Sequence, residues 1–251
     1  MNKTDLTIMY SGGLDSFIAY HYAIKQGYNP LCLFVDMGHP YAEKEWNAIM
    51  SLPEDIRPPV EKLEMKDLYR LISSRLHNQI IPSRNVMLAT IGAMFSGRVW
   101  INALDGEQNG KEHDKSERYF TDTSALLSFT NEAFQDKTII ESPFSTFSKA
   151  ETIQWALDNG IPKEDLFKTS SCYDGSETKC GVCLTCYKRK QAFKLCGIDE
   201  PGYNKDPFQS DYAKEVDSEI RKAHFSKDYT RFTPKRIEEH FKTLGIDSRN
   251  Y

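Results

Sequence analysis

The chain has no apolar run of about 18 residues, the length a membrane-crossing helix needs, and no basic segment leading into a short apolar core with a cleavage site. The expectation is a protein kept in the cytoplasm, with no membrane partner. An excess of one charge is also lacking. Lys and Arg number 32 against 36 Asp and Glu, so the formal charge is −4 and the composition does not announce nucleic acid. Internal repeats and low-complexity tracts are absent. With 39% hydrophobic and 27% charged residues, the composition is that of a globular chain and neither a disordered nor a membrane one. Its 251 residues suit one α/β domain with an appended subdomain, long enough to need no stapling.

Strand-like apolar runs alternate with helical patterns through the first two thirds of the chain. Strands are expected near Leu6–Tyr10, Leu31–Asp36, Val60–Met65, Val99–Leu104 and Thr138–Ile140. Helices are expected near Ser16–Gln26, Ala42–Met50, Lys66–Leu76, Asn85–Ser96, Thr121–Phe134 and Ser148–Asn159. This alternation predicts a doubly wound parallel sheet, Rossmann-like in class, with ligands beyond the carboxyl ends of the strands. Residues 106–120 read as a long loop over that end. We divide the chain at 1–165, a nucleotide-binding domain, and 166–251, a small metal-binding and helical region. Its tail from Pro201 carries a helix near Pro234–Leu244, and its aromatics suggest docking on the rest.

Two motifs carry chemistry. The first is Tyr10-Ser11-Gly12-Gly13-Leu14-Asp15-Ser16, a glycine pair and two hydroxyls between a strand and a helix. Backbone N–H groups at a helix start lack intrahelical partners and the dipole there is positive, so an anion is stabilised, and glycine lets it come close. No lysine follows as in a Walker A loop, and the G-x-G-x-x-G spacing is absent. The second motif is Cys172, Cys180, Cys183 and Cys186, four thiols within a short span. In a reducing compartment this spacing reads as a structural Zn2+ site, closed by four sulfurs, with a four-iron cluster, disulfides or free thiols as the alternatives. Cys32 and Cys196 stand in apolar surroundings and read as core residues.

S-G-G-x-D-S after the first strand resembles the pyrophosphate loop of the ATP pyrophosphatases, the PP-loop superfamily with its adenine nucleotide alpha hydrolase-like fold. Further matches are more specific. Ser170-Ser171-Cys172-Tyr173, Cys180-Gly181-x-Cys183-x-x-Cys186-x-x-Arg189, Ile81-Pro82-Ser83-Arg84-Asn85, and Ser142-Pro143 with Ser148-Lys149-Ala150-Glu151 are similar to signatures of the 7-cyano-7-deazaguanine synthase (QueC) family. The matches span about residues 6 to 196.

The resemblance implies a ligase acting in queuosine-type deazaguanine modification of tRNA or DNA. Such an enzyme adenylates the carboxylate of 7-carboxy-7-deazaguanine, forms the amide with ammonia, and dehydrates it to the nitrile with a second ATP. It implies ATP held by Ser11, Gly12, Gly13, Leu14, Asp15, Ser16 and Asp36, with Mg2+. Asp15, Arg84 and Lys149 would act on the developing charge, and Zn2+ would sit on the four cysteines. A homodimer is suggested by the resemblance alone. Taken singly, Asp15 could be a helix cap, and Arg84 and Lys149 surface cations.

The chain departs from the family twice. D-x-G-Q-x-H becomes Asp36-Met37-Gly38-His39-Pro40-Tyr41, and the Y-P-D-C-R segment becomes Tyr119-Phe120-Thr121-Asp122-Thr123-Ser124. The second change falls on the substrate side of the pocket. It leaves open an alternative that ends at an amide or joins the activated deazaguanine to another amine, including one on a protein. A non-catalytic nucleotide-binding scaffold is disfavoured by the intact loop.

Overall fold

The computed structural model describes residues 4–76, 81–105, 107, 113–172 and 178–247. At its centre lie five parallel strands, β1 (Leu6–Met9), β2 (Pro30–Asp36), β3 (Val60–Glu64), β4 (Arg98–Trp100) and β5 (Ile139–Glu141), in the order β3-β2-β1-β4-β5. Ile8 of β1 stands between Cys32 of β2 and Trp100 of β4, so the direction of winding reverses at β1. A crevice opens at such a reversal, beyond the carboxyl ends of the two central strands.

Alternation along the strands feeds two cores. Leu6, Ile8, Cys32, Phe34 and Trp100 turn to one face and pack with α1 (Leu14–Lys25), α2 (Ala42–Met50) and α6 (Lys149–Asp158). Met9, Leu33, Val35, Val99 and Ile101 turn to the other and pack with α3 (Asp67–Ile72), α4 (Arg84–Ala93) and α5 (Glu117–Thr130). The doubly wound α/β sheet expected from the sequence is therefore present.

Four more helices follow, α7 (Lys163–Lys168), α8 (Leu184–Leu195), α9 (Asp211–Ser226) and α10 (Pro234–Thr243). Helix α8 is the joint between sheet and tail. Its Ala192 and Phe193 belong to the first core, while Tyr187 belongs to a third cluster with Val216, Ile220, Phe232, Ile237 and Phe241. The tail docks as expected, although Phe225 and Tyr229 remain exposed.

Several boundaries move, each for a local reason. Helix α1 starts at Leu14 and not Ser16, because the extended Gly13 ends the loop. Helix α5 starts at Glu117 and not Thr121, since the Ser116 hydroxyl accepts from the Tyr119 N–H at 3.1 Å and caps it. The expected loop over 106–120 therefore ends earlier, and positions 106 and 108–112 lie outside the described residues. The helix expected over Lys66–Leu76 stops at Ile72 and continues as a 3-10 turn, Ser73–Arg75. Helices α7 and α9 were not expected. The buried face of α9 consists of Ala213, Val216, Ile220 and Ala223, a weak apolar stripe in a highly charged segment.

Candidate active site

The Ser11–Ser16 loop is built by β1 ending at Met9 and α1 beginning at Leu14. Gly12 takes φ +73°, the left-handed region, and a Cβ there would lie 2.6 Å from Ile49 Cγ1 and 3.2 Å from the Glu45 carbonyl oxygen. No other residue type fits without moving α2. Ser16 is buried, and its hydroxyl donates to the Gly13 carbonyl at 2.9 Å, so it braces the loop. Ser11 presents its own hydroxyl 3.5 Å from that of Ser16.

Asp15 lies in the first turn of α1, where a carboxylate is favoured by the dipole. Both its oxygens accept from Lys149 Nζ, at 2.6 Å each. Lys149 is the first residue of α6, whose start is fixed by a capping box. The Ser148 hydroxyl accepts from the Glu151 N–H at 3.3 Å, and the Glu151 carboxylate accepts from the Ser148 N–H at 2.7 Å. A cation at a helix start opposes the dipole, so local structure does not favour lysine there. Its position is explained by the loop it faces.

The other expected residues are spread along the crevice. The buried Asp36 ends β2, its carboxylate accepting from the Gly38 N–H at 3.0 Å and standing 3.4 Å from Lys62 Nζ. Arg84 starts α4, donates to the Tyr41 hydroxyl at 3.2 Å, and stands 3.9 Å from Glu45, which also meets the buried His39 at 3.3 Å. The structure thus joins Asp15 to Lys149 directly, and brings Arg84 to the loop only through α2, against which Gly12 packs. Tyr119–Ser124, the altered segment, forms the first turns of α5.

The sulfurs of Cys172, Cys180, Cys183 and Cys186 all lie within 4.8 Å of one another. A tetrahedron of thiolates at about 2.3 Å from Zn2+ has edges of about 3.8 Å, and Cys180 and Cys186 stand 3.9 Å apart. Burial raises the Cys180 thiol, and the neighbouring Cys183 together with burial raises that of Cys186, so a cation is what would let these sulfurs ionise. The four-cysteine cluster suits a metal such as zinc. Gly181 makes the turn possible at φ +76°, since a Cβ there would meet the Lys205 carbonyl oxygen at 1.8 Å.

The knuckle touches the loop. Ser171 Oγ, next to Cys172, accepts from the Leu14 N–H at 3.5 Å and from Arg189 at 3.4 Å. Arg189 is 1% exposed. It donates to Glu200 at 2.8 Å, to the Thr169 hydroxyl at 2.8 Å and to the Leu166 carbonyl at 2.7 Å. Glu200, also 1% exposed, further accepts from Lys179 and from the Tyr203 hydroxyl. A buried network therefore runs from the tail through the knuckle to the start of α1.

Residues that sequence reasoning missed line a cavity beside Lys149. It is bounded by Leu104 and Glu107 after β4, by Lys188 and Leu195 of α8, and by Arg236 and Glu239 of α10. Although burial alone would raise it, Glu107 is held at about 2 by Lys115, Lys188 and Lys149. Burial and the nearby Arg236 push Lys188 down to about 8. The one sequence signal was the stripe Lys188, Gln191, Ala192 and Leu195, all on one face of α8.

The family model described as queuosine biosynthesis protein QueC matches residues 60–197, more than half of the chain. Among curated relatives, the "7-cyano-7-deazaguanine synthase 2" of Sulfurisphaera tokodaii is 25% identical over 217 residues, covering 77% of this chain and 46% of that protein. The protein of the same name from Colwellia psychrerythraea is 24% identical over 221 residues, covering 78% of this chain and 96% of that one. The "7-cyano-7-deazaguanine synthase" of Thermoplasma acidophilum is 27% identical over 245 residues, covering 86% and 99%. The chain thus spans about half the length of the first relative and nearly all of the other two. No helix among the described residues is long and apolar enough to cross a membrane. On the matched span and the site residues within it, this chain belongs to the QueC family.

Proposed function

We propose that this chain is an ATP-dependent carbon–nitrogen ligase that adenylates the carboxylate of 7-carboxy-7-deazaguanine and passes the acyl group to ammonia. The amide is then dehydrated to 7-cyano-7-deazaguanine with a second ATP. The observation that carries the reading is the Asp15–Lys149 ion pair at the mouth of the Ser11–Ser16 loop.

A carboxylate resists attack by an amine until one of its oxygens becomes a good leaving group. When that oxygen attacks the α-phosphorus of ATP, the P–O bond to the β-phosphate breaks and its electrons leave with pyrophosphate. The N–H groups at the start of α1, the Ser11 hydroxyl and Lys149 would meet this charge without reorganising. The amine then attacks the acyl carbon, loses a proton, and expels AMP.

Mg2+ bound with ATP would supply positive charge that neutralises part of that on the phosphates. Asp15 suits it, and so does Asp105, which ends the run after β4 and stands beside Lys149 on the wall of the same cavity. Asp36 would meet the nucleotide, and Arg84 would act from across the crevice. Zn2+ on the four cysteines would have no open position, so its role would be to hold the knuckle and, through Ser171, the loop.

The altered Tyr119–Ser124 segment supports a second reading with the same first half. There the activated deazaguanine stops at the amide or joins another amine, including one on a protein. The test is incubation of the purified protein with ATP, Mg2+, ammonia and 7-carboxy-7-deazaguanine, with products identified by mass. A nitrile with two ATP consumed supports the first reading, and an amide or conjugate the second. No AMP with this carboxylate refutes both.

A further inference from the structure

Five large apolar side chains stand in water where α4 ends and α5 runs past it. Met94 and Phe95 close α4 and are 75% and 49% exposed. Leu126 and Phe129 on α5 are 56% and 78% exposed, and Phe134 just beyond it is 88% exposed. They form one patch, because α4 packs on α5 and the Gln135 amide donates to the Ala93 carbonyl at 3.4 Å, drawing the end of α5 to the end of α4. At about 200 Å2 per side chain, the exposed parts amount to roughly 700 Å2. The largest apolar patch of a typical monomer is about 300–600 Å2, and each partner in a standard protein interface gives about 800 Å2. Helix α4 starts at the crevice with Arg84 and runs away from it, so the patch serves no substrate there. None of the five belongs to the motifs shared with the family.

The charges around the patch match a reversed copy of themselves. Arg118, Asp122, Ala125, Phe129 and, just past the helix, Glu132 recur at steps of four and three, so they lie in one line along α5. All five are exposed. The line is positive at one end and negative at the other, and the small Ala125 stands midway between Arg118 and Glu132. Two such helices meeting antiparallel at Ala125 place each Arg118 by the partner's Glu132 and each Phe129 by the partner's Asp122. Arg118 gives one N–H to its own Asp122 at 3.1 Å and keeps the rest of its donors for the partner. An unrelated protein would need no such symmetry. A membrane surface would call for an excess of cations, and here one faces two carboxylates.

We propose that the α4–α5 face is a twofold interface with a second copy of this chain. Helix α5 crosses its counterpart antiparallel at Ala125, and Met94, Phe95, Leu126 and Phe134 are buried around the crossing. The line passes through Asp122, so the partner's helix covers the outer side of the altered Tyr119–Ser124 segment, whose Phe120 and Thr123 are buried on the inner side. The segment in which this chain departs from the family is thereby held from both sides.

The test is sedimentation velocity over a dilution series of the full chain with zinc supplied. The wild type should sediment at twice the mass of one chain. Phe129→Glu sets a carboxylate beside the partner's Asp122 and should raise the dimer Kd about 100-fold or more, and Phe134→Gln about tenfold. Both side chains are exposed in the single chain, so circular dichroism and zinc content should not change. Arg118→Glu and Glu132→Arg should each weaken association about tenfold, and the two together should restore it, an exchange that this antiparallel register alone allows. A wild type that keeps the mass of one chain throughout overturns the proposal. So does a dimer indifferent to Phe129→Glu and Phe134→Gln, which would use another face, or a charge exchange that restores nothing, which would refute the crossing.

Discussion

Arg189→Met is the perturbation whose consequences the structure determines most fully. The change removes the guanidinium and keeps most of the volume, so what remains is Glu200 in a 1% exposed site without its main countercharge. Lys179, at 3.1 Å, and the Tyr203 hydroxyl still reach it. Removing one partner of a buried ion pair costs about 3–5 kcal/mol, because the other charge is left uncompensated. At about 2–4 °C per kcal/mol for a chain of this size, the melting temperature should fall by about 6–20 °C. Glu200→Gln added to Arg189→Met should restore part of that, since the orphaned charge is then gone. Thermal unfolding of the two single variants and the double variant, with zinc content held equal, measures the coupling. A further effect follows from Ser171, which loses its bond to Arg189 and with it the restraint that holds its hydroxyl near the Leu14 N–H. Pyrophosphate affinity should therefore fall in variants that remain folded at the assay temperature. A loss below about 1 kcal/mol, or strictly additive effects, would refute the buried-network account.

Four other outcomes are expected. Gly12→Ala should destabilise by about 2–5 kcal/mol, summing left-handed strain and overpacking against Ile49, and a melting temperature within about 2 °C of wild type would contradict it. Asp15→Asn should lower AMP formation about 100-fold or more with the fold intact, as read by AMP release beside circular dichroism, and normal turnover would remove Asp15 from the site. Chelation should lower the melting temperature, release about one zinc per chain and weaken pyrophosphate binding together; an iron–sulfur absorbance would replace zinc by a cluster. The fourth concerns acid. His240 accepts from the Tyr187 hydroxyl at its Nδ1 and donates from its Nε2 to Asp217 at 2.8 Å, and burial pushes its pKa down despite Asp217. The unfolded chain therefore takes up the proton first. The resulting stability is present above about pH 6.5 and lost as pH falls from there through the lower folded value, so melting temperatures should drop between about pH 7 and pH 5, with a flatter profile for His240→Gln.

What was legible in the sequence is what the chain encodes locally. The loop is one continuous run, so Gly12, Asp15 and the helix start could be read together. The cysteines advertise themselves by spacing, and the structure gathers all four. Lys149 could be placed at a helix start because its capping box is a four-residue pattern. The remainder was set by contacts between distant segments. Arg189 stands out only as the end of the cysteine signature and Glu200 looks like an ordinary surface charge; that the two form a buried pair is set when α8 and the following loop fold together. Lys188 and Arg236 are separated by nearly fifty positions and share a wall only because α10 docks against α8. Helix α9 went unread because its packing face contains alanines, which signal burial weakly amid charges. Tyr119–Ser124 could be recognised as altered and a helix as opening at Thr121, but not the earlier start at Glu117 set by the Ser116 cap.

The measurement that bears most directly on the central claim follows one oxygen atom. With 7-carboxy-7-deazaguanine labelled by oxygen-18 in its carboxylate, adenylation at the Ser11–Ser16 loop and expulsion of AMP by the amine must carry one labelled oxygen into AMP. Mass analysis of the released nucleotide should find one labelled AMP for each amide formed, the second carboxylate oxygen leaving only when the amide is dehydrated to the nitrile. Label appearing in inorganic phosphate, or unlabelled AMP formed at the same rate as product, would contradict an adenylated carboxylate and with it the function assigned to this site.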